Sequence, residues 1–105
     1  MNQSRIEALQ GFLEEDPGDS FSRYALAMEF AKLGDLERAI REFETNIQND
    51  PDYVATYYQL AKAYERAGRE DDARNRYRDG IAVATRLGDN HTREELTAAL
   101  EFLDS

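Results

Sequence analysis

His91 is the single histidine in the chain, and Glu94 and Glu95 follow it closely. His91 and Glu95 stand four positions apart, which puts both on one face of a helix. That pair is the nearest the sequence comes to a metal site. Zinc and related ions ask for several His or Cys ligands, and here there is no second His and no Cys at all. A solvated first helical turn explains the cluster as well, because carboxylates favour the positive end of the helix dipole. Nucleophilic catalysis lacks a Ser-His-carboxylate or Cys-His arrangement. The carboxylate pairs Glu14-Glu15 and Asp71-Asp72 fall at helix ends with no cleft in evidence. Gly34 and Gly68 are isolated glycines and make no phosphate-cradling loop. Arg66, Arg69, Arg74, Arg76 and Arg78 form the one basic concentration, but Asp71, Asp72 and Asp79 interleave with it at helical pairing distances. The expectation is no enzyme, no metal and no cofactor.

Composition narrows the partners. Thirteen basic against twenty-two acidic residues leave a net charge of −9, which repels a phosphate backbone, so nucleic acid is not an expected partner. Only Lys32 and Lys62 are lysines, the remaining basic residues being arginines. Acidic excess with little lysine suits a surface adapted to salt, and equally an ordinary acidic interaction domain. No apolar run approaches the roughly 20 residues of a membrane span, so no membrane partner is expected. No apolar signal core follows Arg5, and a cytoplasmic location is the corresponding expectation. A chain of 105 residues with six tyrosines and five phenylalanines has material for one small core.

The elements that position these residues repeat. Asp16-Pro17 returns thirty-four positions later as Asp50-Pro51, and the same offset relates Leu26 to Leu60, Ala27 to Ala61, Phe30 to Tyr64, Gly34 to Gly68, Ala39 to Ala73 and Phe43 to Tyr77. Phe21, Tyr24, Ala27, Met28 and Ala31 make one stripe of helical period, and Leu36, Ala39, Ile40, Phe43 and Ile47 another. Gly34 and Gly68 lie between stripes, where a left-handed residue ends a helix tightly. Pro17 and Pro51 end the helix before them. The predicted helices are 3–15, 19–33, 36–49, 53–67, 70–87 and 90–103, and the short loops require antiparallel neighbours.

These residues resemble the tetratricopeptide repeat (TPR) family. Its helix–turn–helix unit is matched by Arg23, Leu26-Ala27, Phe30, Gly34, Ala39, Phe43 and Pro51, then by Tyr57, Leu60-Ala61, Tyr64, Gly68, Ala73 and Tyr77. Arg23 replaces a large aromatic, Ala27 and Ala61 replace a small Gly, and Thr85 stands where the second unit's Pro would be. The resemblance implies an all-α, right-handed superhelical array of antiparallel helix pairs. One domain spans 1–105: a half unit at 1–16, repeats at 17–50 and 51–88, the second with an extended second helix, and a capping helix at 89–105. Thr92 and Glu95 have capping-box spacing, and Asp89 is the alternative start of that helix.

The resemblance also implies a groove along the stacked first helices that takes a peptide or a helix. Helical phase places Phe21, Tyr24, Ala25, Met28 and Lys32 of the first unit there, with Tyr58, Gln59, Lys62 and Arg66 of the second. Apolar surface beside cations suits a peptide with an aromatic or aliphatic anchor and an acidic group. Phe21, Tyr24 and Met28 could equally cover core. Family members that clamp a chaperone's C-terminal carboxylate use Lys and Asn at places where this chain has Tyr24, Met28 and Gln59, so that clamp is absent. The expected role is a protein–protein interaction scaffold, a monomer rather than an oligomer. The alternative is a module that self-associates through its terminal helices, with Phe102 exposed.

Overall fold

The computed structural model describes residues 2–105; Met1, the first residue of the predicted half unit, lies outside the described residues. Helices run α1 (Asn2–Glu15), α2 (Ser20–Lys32), α3 (Leu36–Asn49), α4 (Ala55–Arg66), α5 (Glu70–Leu87) and α6 (Asn90–Asp104). Local chemistry sets their ends. Asp19, Asp35 and Asp89 each accept a backbone N–H from the first turn that follows, at 3.2, 3.2 and 3.1 Å. Asp89, not Thr92, is therefore the cap of α6, and Thr92 serves it by donating backbone and hydroxyl. The start of α4 lacks such a side chain, and it begins at Ala55 rather than 53 after the Asp50–Tyr53 turn.

Three helices stop in the same way. Gly34, Gly68 and Gly88 hold φ of 79°, 78° and 73°, which a side chain resists. Each donates to a carbonyl three residues back, and the next residue donates to one five back, as Asp35 does to Phe30 at 3.0 Å. The chain thus reverses in two or three residues, and each helix packs antiparallel on the next.

The result is a right-handed superhelical array of helix pairs, 39 × 29 × 19 Å. Inner helix α2 touches inner helix α4 directly, while α1, α3 and α5 form the outer row. Ala27, Ala39, Ala61 and Ala73 are fully buried at the helix crossings. Their small side chains let the backbones approach, and Phe43, Leu60, Tyr77 and Leu96 fill the space between. Gly80 is tighter still: a Cβ there would sit 2.6 Å from Tyr57 Cβ on α4 and 3.0 Å from Leu96 Cδ1 on α6. The close approach that it permits is to the preceding helix first and the following one second.

Candidate functional site

Three inner helices meet around an open cleft. It measures ≈ 310 Å³ and is lined by Tyr24 of α2, Val54, Ala55, Tyr58 and Gln59 of α4 and its entry, and Thr92 and Glu95 of α6. Both tyrosine rings are held by packing. Tyr24 sits 6.0 Å from Phe43, edge to face, and 5.6 Å from Tyr53. Tyr58 meets Tyr77 edge-on at 6.3 Å, and the Lys62 ammonium lies 5.6 Å from its ring centroid. Burial pushes the Tyr24 phenol up, Tyr53 adds to the effect, and Gln59 opposes it by donating to the phenolate. The phenol therefore stays a neutral donor and acceptor at the cleft wall.

Charge is divided along α4. At the cleft, Glu95 of α6 lies 3.4 Å from His91 Nε2, both groups exposed. One and two turns further along are Lys62, 3.7 Å from Glu65, and Arg66, exposed and in no ion pair among the described residues. Lys32 is drawn to Glu29 at 3.3 Å, a carboxylate only 3% exposed that also takes Arg5 Nε at 3.0 Å.

Of the groove residues expected from helical phase, Tyr24, Tyr58 and Gln59 meet at the cleft. Phe21 is 63% exposed, one turn before Tyr24 and outside the cleft lining. Met28 is half-buried against the core, and Ala25 is buried. Lys32, Lys62 and Arg66 flank the cleft without lining it. Helical phase missed Val54, Ala55, Thr92 and Glu95. A signal for the last two exists: Leu96 stands thirty-six positions after Leu60, so α6 continues the inner series once the two extra residues of α5 are allowed for. His91, Glu94 and Glu95 are exposed, and among the described residues no group of three or more potential ligands could hold a metal ion.

This architecture and its sequence period define a helical repeat protein. The tetratricopeptide repeat model matches residues 30–86, and a TPR repeat-containing protein of Pseudomonas aeruginosa is 32% identical over 99 residues, 94% of each chain. The chain belongs to the tetratricopeptide repeat family. Among solved structures, a tetratricopeptide repeat domain protein of Salinibacter ruber determined by NMR is 46% identical, with a TM-score of 0.79 over 84% of this chain and 89% of that one. PcrH, crystallised in complex with the chaperone binding region of PopD, shares the fold at a TM-score of 0.89 and 17% identity, over 97% of this chain and 77% of that one. Among the described residues no helix is long and apolar enough to cross a membrane.

Proposed function

We propose that this chain is a protein–protein interaction module whose inner cleft receives a peptide or helix of a partner. The observation that carries the reading is the uncovered cleft between Tyr24 and Tyr58, two rings pre-set by Phe43, Tyr53 and Tyr77. Rings already held in place lose little freedom on binding, so an aromatic or aliphatic anchor enters at low entropic cost. An acidic group of the same partner then meets Lys62 and Arg66, with Phe21, Met28 and Lys32 extending the face across α2. The shared fold of PcrH, whose structure holds a segment of another protein, supports a peptide-binding use of such an array. No catalytic step belongs to this reading.

Exposure of Phe102 at 77% on α6 and Phe12 at 55% on α1 favours a second reading, self-association through the ends. Affinity capture with wild type and with Tyr58→Ala/Lys62→Glu separates the two. A discrete partner lost from the folded double variant, and binding the purified wild type in a defined ratio, is the expected result. An unchanged capture profile overturns the groove reading. Light scattering that shows mass rising with concentration favours self-association instead.

A further inference from the structure

On the outer side, one difference between the two repeats opens a second cleft. In the second unit Tyr57 is buried and donates to the Pro51 carbonyl at 2.7 Å. Arg76 of α5 ties the outer row together there, gripping Glu44 of α3 with Nη2 at 2.7 Å and Nε at 3.2 Å. Thirty-four positions earlier the places of Tyr57, Arg76 and Glu44 hold Arg23, Glu42 and Gln10. Arg23 follows the path of Tyr57: its Nη2 donates to the Pro17 carbonyl at 3.0 Å, and its Nη1 to Glu42 at 2.6 Å. The guanidinium that closes the outer row in the second unit therefore has no counterpart between α1 and α3. What remains is a cleft of ≈ 390 Å³ lined by Gln10, Leu13, Glu14, Arg23, Leu26 and Glu42.

Its chemistry is specific. Glu14 and Glu42 outweigh Arg23 by one negative charge, and Glu14 and the Gln10 side chain make no hydrogen bond or ion pair among the described residues. Leu13 and Leu26, otherwise buried in the core, contribute only their edges as the apolar floor of the cleft. The Arg23 side chain is 15% exposed, yet its Nε is buried with no acceptor. That atom is closed off inside the protein, so the surplus carboxylate charge sets what the cleft takes, which is a cation.

We propose that this outer cleft binds an arginine residue of a partner peptide. Its guanidinium takes the part that Arg76 plays in the second unit, donating to Glu14, the Gln10 amide oxygen and the free oxygen of Glu42. Its aliphatic stem lies against the exposed edges of Leu13 and Leu26. The inference does not depend on the inner cleft.

The test is an amide NMR titration of the full chain with N-acetyl-L-arginine N-methylamide. Saturable shifts at Leu13, Glu14, Arg23 and Glu42 are expected, with Tyr58 and Gln59 unmoved. Glu14→Gln, at an exposed position, weakens binding about tenfold through loss of a charge-assisted hydrogen bond. Gln10→Arg places a guanidinium in the cleft from within the chain and abolishes the titration while the melting temperature holds or rises. The neutral citrulline counterpart shifting the same amides equally would overturn the proposal, as would indifference to both substitutions. Free L-arginine binding as tightly as the blocked residue would assign the cleft to the amino acid and overturn the peptide source.

Discussion

At the scale of single residues, glycines of one chain have opposite meanings. Within a helix, Gly costs about 1 kcal/mol relative to Ala. Gly11 of α1 has nothing within 4 Å of where a Cβ would stand, so Gly11→Ala recovers up to that amount. At Gly80 the neighbours are the Cβ of Tyr57 and the tip of Leu96, and the nearer one is anchored directly to the α4 backbone. Overpacking of this kind costs about 1–3 kcal/mol, which outweighs the propensity gain. Urea denaturation should show Gly80→Ala with a lower midpoint and Gly11→Ala with a higher one, at unchanged slope. A Gly80→Ala variant as stable as wild type would mean that α4 and α5 slide apart freely.

At the scale of elements, tyrosine hydroxyls fasten inner helices to outer ones. Tyr64 of α4 donates to Glu44 of α3, and Tyr77 of α5 donates to Glu65 of α4. Burial raises both phenols above their ordinary value of 10.0, and the carboxylate acceptors raise them further because each bond exists only while the phenol keeps its proton. Tyr64 is pushed up to about 12, and Tyr77 moves in the same direction. The sign follows from linkage. The folded chain holds protons that the unfolded chain releases near pH 10, so this stability is complete below about 10 and is lost as pH rises through about 12. Melting temperature should fall steeply across that interval, and Tyr64→Phe should flatten the fall. An equal alkaline slope in the variant would remove Tyr64 from the account.

For the whole molecule, the −9 charge sets the response to salt. The arginines are largely engaged: Arg74 meets Asp71 at 2.9 Å and Asp104 at 2.5 Å, Arg69 meets Asp72 at 2.8 Å, and Arg86 pairs with Asp52. Exposed pairs of this type contribute little and weaken in salt, whereas net repulsion among the surplus carboxylates weakens as well. The second effect acts over the whole surface, so melting temperature should rise markedly from low salt to molar KCl. A flat or falling curve would identify an ordinary acidic domain without salt adaptation.

Much of this array could be read from the chain alone, because its determinants are local. Caps, turn glycines and apolar period act within a few residues, so six helices were legible, and 36–49 and 70–87 agree with α3 and α5 to the residue. Helical phase likewise put Tyr24, Tyr58 and Gln59 on the inner side. The sequence also held the register of α6, through Leu26, Leu60 and Leu96, but two extra residues in α5 moved the offset from 34 to 36, so Thr92 read as part of a capping box and Glu95 as part of that box or of a solvated first turn. Only the tertiary structure decided the rest. Lys32 and Lys62 turn to Glu29 and Glu65, Val54 and Ala55 enter the cleft wall, and Arg23 joins Glu42 while Arg76 joins Glu44. Periodicity records which way a side chain points from its own axis. Which groups then meet depends on the distance and rotation between axes, and buried Ala, Gly and Tyr residues on different helices set those together.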